Sequence, residues 1–450
     1  MRKDQHDFTQ GNIWKQLIVF SGPMLLANLL QTSYQFIDSL WVGNLLGANA
    51  LGAVNISGTI LFVVLSFVIG INNAALTILS QQKGKGSEEG LKRYINAFVV
   101  ILTIASVVLG LLGVLLAEPL LRLLGTPEEM IAPGKAYLQI NFIGILFLFG
   151  YNFISTVMRA LGDSKTPLIF VTIAVLLNVV LDPVLISVVG WGVHGAAIAT
   201  IASQGLAFIY GLIYILRRKM VPFTVPKLPS WKDTGLILNL GIPAGMQMAV
   251  ISAGSAAIMS VVAGFGSAVV AGFSAAQRLD SLLLLPAHAL SAAVNSMAGQ
   301  NIGVRNWDRV SKIATYSVIT NLSIMFSIGI AVVLLAEFGI RLFIDDPEAV
   351  QFGATYLQIV ALCYPFLGIN FMLNGVVRAA GAMYQVLVLN IISFWVLRFP
   401  LTWLFSHLFG EIGIGLGMGI SFIISSGFAY AYYRFGKWRE KDLFKERKRG

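Results

Sequence analysis

Long apolar runs separated by short polar breaks dominate the chain. A membrane-spanning helix requires about 20 predominantly apolar residues. Residues 16–37, 94–117, 136–158, 313–336, 351–377 and 412–433 each contain no Asp, Glu, Lys or Arg. Residues 39–82 and 235–277 are charge-free for longer, and Gly- and Asn-containing turns near 43–52 and 264–272 divide them. With the segments around Asp182, His194, His288 and Arg398, the pattern predicts twelve spans. Their limits are 14–44, 50–80, 94–117, 133–157, 166–189, 193–216, 236–264, 270–299, 313–336, 353–377, 384–407 and 412–433. An outer-membrane barrel, built from alternating segments of about ten residues, does not fit. The fold class is an all-α integral membrane protein.

Composition agrees. Hydrophobic residues make up 57% of the 450 and charged residues 12%, with a mean hydropathy of +0.80, where soluble domains carry about 25% charge. Cys363 is the single cysteine, so an internal disulfide and a Cys-based zinc site are excluded. The net charge of +10 takes its meaning from location. Of 31 Lys and Arg, only Arg122, Lys135 and Arg341 fall in odd-numbered connections, and Arg278 and Arg398 lie inside spans. The other 26 occupy the two tails and the even-numbered connections. The positive-inside rule then places both termini in the cytoplasm of a multi-pass protein of the cell membrane. The first apolar run reads as a permanent span rather than a signal peptide. The basic stretch after Tyr433 reads as a solvated flank, with no role toward nucleic acid.

An offset of 219 superposes the two halves. Gln81 meets Gln300, Glu118 meets Glu337 and Arg122 meets Arg341. Residues 137–140 (Tyr-Leu-Gln-Ile) meet the same four residues at 356–359, and Arg159-Ala160 with Gly162 meets Arg378-Ala379 with Gly381. Each half is therefore a six-span bundle: 1–218 and 234–450, joined by a basic, proline-containing linker at 219–233. Because six is even, the repeats enter from the same side, as in secondary transporters whose pseudo-axis follows the membrane normal. Gly84-Lys85-Gly86-Ser87 lacks the order of a phosphate loop, so uphill transport would draw on an ion gradient. His6, His194, His288 and His407 show no ligand spacing, no nucleophile elbow exists, and the GxxxG pairs read as close helix packing. These features argue against an enzyme and against a bound cofactor.

Ionisable residues inside spans are costly and functional by default; there are five here, Asp38, Asp182, Arg278, Asp280 and Arg398. Asp38 and Asp182 lie at similar depth near the outer ends of spans 1 and 5. Tyr34 stands one turn from Asp38 and Asn178 one turn from Asp182, so each carboxylate shares a helix face with a hydrogen-bonding partner. Pro183 withdraws a donor from the carbonyl of Val179, and Thr200 in span 6 lies at the same level. This oxygen-rich set suits a proton or a hard cation; the plainer alternative is a buried structural cluster. The second half carries no copy, since Asp38 maps to Ala257, Tyr34 to Ala253, and Asp182 to Phe399 or Leu401. Asp280 is expected to form a structural ion pair with Arg398 or Arg278, the sharper alternative being a second coupling site.

These residues resemble the multidrug and toxic compound extrusion (MATE) family, in its DinF-like prokaryotic branch. The resemblance spans nearly the whole chain. It rests on the duplicated layout, Pro23, Gln31 and Asp38-Ser39 in span 1, residues 159–163 (Arg-Ala-Leu-Gly-Asp), Asn178 with Asp182-Pro183, and residues 378–381 (Arg-Ala-Ala-Gly). It implies a monomeric, lipid-embedded, cation-coupled antiporter that expels cationic amphipathic drugs through two six-helix bundles. Asp38, Tyr34, Asn178, Asp182 and Thr200 match the family's N-lobe coupling positions. The NorM-named branch carries coupling carboxylates in spans 7 and 10, where this chain has none and span 10 offers only Asn370 and Asn374. That departure argues against a C-lobe sodium site and favours H⁺. A lipid-linked precursor flippase and an ion channel are the alternative functions.

Overall fold

The computed structural model describes residues 6–444. Twelve spans follow in order: α1 (Ile13–Leu46), α2 (Ala48–Gly84), α3 (Glu88–Leu123), α4 (Glu128–Ile143 and Ile145–Ala160), α5 (Lys165–Val188) and α6 (Gly192–Arg217). The second six are α7 (Trp231–Ala263), α8 (Ser267–Gly303), α9 (Trp307–Arg341), α10 (Pro347–Ala361 and Tyr364–Ala379), α11 (Met383–Phe409) and α12 (Ile412–Phe435). The twelve expected spans are all present, counting each bent pair as one, and no strand occurs among the described residues.

The bends were not foreseen. α4 turns by 51° at Gly144 and α10 by 53° at Leu362–Cys363, and Gly144 and Cys363 are equivalent positions in the duplication. A side chain at Gly144 would collide with Ile201 of α6, whereas in α10 Pro365 opens the second segment, where its missing N–H costs nothing. α5 and α11 each contain a wider π-turn segment, Val184–Val188 directly after Pro183 and Ile392–Arg398 just before Pro400. Such turns adjust a helix around a lost hydrogen bond. The expectation of close packing at glycine pairs holds in α12, where a side chain at Gly413 or Gly417 would strike the backbone of α11 at Phe405 or Thr402.

The compact units differ from the boundaries expected from sequence. One contains the residues up to Asp7 and Gly22–Ile242; the other contains Phe8–Ser21 and Pro243–Gly450. The division therefore falls inside α1 and inside α7, beside Pro23 and Pro243. Hydrogen bonds explain the assignment. Within the second unit, Arg309 donates from Nε to the Phe8 carbonyl (2.8 Å) and from Nη2 to the Gln10 carbonyl (2.9 Å), and Asn301 also donates to Phe8. Within the first unit, Arg93 holds Asp233 at the start of α7 with two bonds of 2.8 and 2.7 Å. Asn96 and the backbone of Lys227 bond reciprocally, so the 219–233 segment belongs with the first unit.

The basic tail is not simply a solvated flank. Trp438 is fully buried and its indole donates to the Tyr433 carbonyl, while Lys441 reaches Gln385 and Asp442 reaches Arg305. Arg2, Lys3, Lys445, Arg447, Lys448 and Arg449 lie outside the described residues.

Candidate functional site

In the first unit, helical spacing sets the pairs and tertiary packing joins them. Tyr34 and Asp38 stand one turn apart on α1, as do Asn178 and Asp182 on α5, where Asn178 Nδ2 donates to Asp182 Oδ1 at 3.4 Å. Asp182 and Asn178 are buried and Asp38 is half-buried. The Asp38 and Asp182 carboxyls are close enough to act on one another, across α1 and α5. Asp38 Oδ1, Asn178 Oδ1 and Asp182 Oδ2 are buried with no hydrogen-bonding partner from the protein.

A cavity of about 20 Å³ adjoins these groups, lined by Tyr34, Asn178, Thr200, Tyr151, Ser203 and Gln204 among others. That volume suits about one water-sized guest. Thr200 donates its hydroxyl to the Ala196 carbonyl at 3.2 Å, which leaves its oxygen as an acceptor. All five residues singled out from the sequence thus come together. Sequence reasoning missed Tyr137 and Tyr151 from α4 and Gln204 from α6. Tyr137 lies close enough to both acids to interact electrostatically, and Gln204 lines the same cavity as the Tyr34 phenol. Gln204 sits one turn beyond Thr200, a signal that was readable. Among the described residues, no three His, Cys, Asp or Glu side chains assemble as a metal site.

The second unit corrects the expected ion pair. Asp280 accepts a hydrogen bond from the Tyr364 hydroxyl, and no ion pair within 4 Å joins it to Arg278 or Arg398 among the described residues. The bend in α10 places Tyr364 there, as the first residue of the segment that follows it. Arg398 instead lies between two aromatic faces, 3.8 Å from the Phe394 ring centroid and 4.5 Å from that of Phe422, with Nε donating to Ser421 at 3.4 Å. It acts on Asp280 only at longer range. Arg278 is exposed.

The MatE family model matches the chain twice, at residues 23–184 and 243–404. The ends of both matches differ by 220, so at those ends Asn178 falls opposite Arg398 and Asp182 opposite Thr402, not opposite Phe399 or Leu401. The chain is 60% identical over 442 residues to the probable multidrug resistance protein YpnP of Bacillus subtilis (strain 168), covering 98% of this chain and 99% of that one. It is 26% identical to a protein of Shewanella oneidensis named as a FAD transporter, over 93% and 94% of the two chains. Its structure resembles that of the Vibrio cholerae MATE transporter VcmN in the bent form, with a TM-score of 0.90, 25% identity and coverage of 96% and 99%.

Proposed function

The chain belongs to the multidrug and toxic compound extrusion family, whose members are membrane transporters and not enzymes, and on that premise we propose that it exports drugs in exchange for protons through Asp38. The observation that carries this reading is the set of buried, unpartnered oxygens of Asp38, Asn178 and Asp182 beside a one-guest cavity lined by Tyr34, Asn178 and Thr200. Open to the outside, the cluster takes a proton. A neutral Asp38 no longer holds a cationic drug, α1 repacks about Pro23, and the drug leaves outward. Exposure to the cytoplasm then draws the proton off. A coupling of about 1–3 kcal/mol between proton and drug suffices for tens-fold differences in drug affinity.

The basic bias supports an orientation with both termini and the 219–233 segment in the cytoplasm. In a Cys363→Ser background, an impermeant thiol reagent applied to intact cells should modify a cysteine at Asp345 and spare one at Lys227. Drug efflux measured in inverted vesicles with an imposed pH or Na⁺ gradient tests the coupling. Efflux should follow the pH gradient, and efflux driven equally well by Na⁺ alone would overturn the proton assignment. The flavin-named relative favours one second reading, an amphipathic substrate bearing negative charge. Flavin nucleotide competing with a cationic dye in the same vesicles would support it.

A further inference from the structure

A cavity of about 650 Å³ lies at the basic-rich end of the first unit, away from the carboxyl cluster. Lys83, Lys92 and Lys219 line it with one acid, Glu88, which is paired with Lys92 at 2.8 Å, and Asp7 acts on Lys83 from nearby. A second cavity of about 190 Å³ follows along the same helix, walled by apolar side chains of α3, α4 and α6 such as Val99, Phe149 and Phe208. Phe223 forms part of both walls. Along α3 the lining runs from Glu88 to Thr103, about 22 Å at the helical rise. Thr103 and Leu146 are exposed, so the apolar part opens on the outer surface of the bundle. The reciprocal bonds between Asn96 and Lys227 hold the 223–227 strap in place across that groove.

A basic mouth leading into an apolar groove is complementary to one kind of molecule, a negatively charged head joined to a hydrocarbon tail. We propose that this site binds an anionic phospholipid, its phosphate at Lys219, Lys92 and Lys83 and an acyl chain along α3 beneath Phe223. The backbone supplies an independent sign. Lys219 follows α6 in the left-handed region (φ 48°), inside a tight terminal turn closed by the bond from Met220 N to the Ile215 carbonyl. Glycine is the residue such a turn favours. A lysine held there at a conformational cost is the kind of local strain found at ligand sites.

The test uses the full-length purified protein and counts bound lipid by native mass spectrometry, with phosphatidylglycerol and phosphatidylcholine of identical acyl chains as probes. Wild type should retain the anionic lipid at least about tenfold better, on the scale of two or three basic contacts at a membrane surface. Lys219→Gly relieves the backbone and should keep or raise the melting temperature while weakening phosphatidylglycerol retention about fivefold. Lys92→Gln should do the same, and Phe223→Ala should weaken both lipids. Equal retention of the two lipids by wild type would overturn the proposal, as would wild-type retention of phosphatidylglycerol in both lysine variants. Displacement of the lipid by millimolar inorganic phosphate would also overturn it, because the site would then recognise phosphate without the chain.

Discussion

The two repeats share a scaffold down to the bends in α4 and α10 and the π-turn segments of α5 and α11, yet they bury different chemistry on it. The first repeat sets two carboxyls beside a cavity, lined by amides, phenols and hydroxyls, that fits one small guest. At the corresponding places the second sets Ile258 or Ala257 opposite Asp38, Thr402 opposite Asp182, and Arg398 opposite Asn178. Its guanidinium is packed between Phe394 and Phe422, and its one acid is satisfied by Tyr364. One unit keeps unpartnered polar oxygens facing each other, and the other has closed its charges off with rings. The exchange chemistry proposed above fits the first arrangement better than the second.

The largest test of that contrast is a pair of isosteric changes. Asp38→Asn should reduce gradient-driven efflux to the level seen without a gradient, while the protein still inserts and purifies. Asp280→Asn should keep efflux within about twofold and cost about 1 kcal/mol of stability through a weakened bond to Tyr364, read as a lower melting temperature. Loss of coupling in a folded Asp280→Asn protein would make the second cluster a coupling site and end the contrast. Next in size, Asp182→Asn should slow transport about tenfold and Tyr34→Phe about threefold, the scale of one lost hydrogen bond. Both are read as initial efflux rates at matched expression.

In the second unit, Arg398→Lys keeps the charge and loses the planar stack, which should cost about 1–2 kcal/mol of stability. Its rate against pH should follow wild type, whereas Asn178→Ala, at the equivalent position, should shift the rate and spare the melting temperature. The smallest effect concerns one turn. Gly86 (φ 68°) and Arg305 (φ 57°) are equivalent and both left-handed. Gly86→Ala should destabilise by about 1 kcal/mol, and Arg305→Gly should stabilise by a similar amount. Arg305 does lose its bridge to Asp442, but that arginine is 78% exposed and such bridges contribute little.

What was legible follows from how local each feature is. Spans are long, and apolar length alone declares them, so all twelve were readable. Tyr34 with Asp38 and Asn178 with Asp182 are four-residue neighbours, and helix geometry fixes them before any tertiary contact forms. Asp280 and Tyr364 are separated by 84 residues and meet only because α10 bends. Opposite charges in the sequence suggested Arg398 as the partner, but two phenylalanine rings took that guanidinium instead. The bends escaped notice for the same reason: Gly144 looks like any membrane-helix glycine until Ile201 is seen against it. The tail's burial hinged on Trp438, one aromatic residue within a run of charge.

The division of α1 at Ser21 and of α7 at Ile242 has a consequence for how the chain is made. The second unit needs Phe8–Ser21, which are made long before the rest of it, since its remaining residues begin only at Pro243. Those early residues must stay competent for more than two hundred further additions before Asn301 and Arg309 exist to bind them. Contacts of such long sequence separation form late. Neither repeat is thus a self-sufficient gene-sized piece: cutting the chain in its natural linker would leave one fragment holding the other's first half-helix.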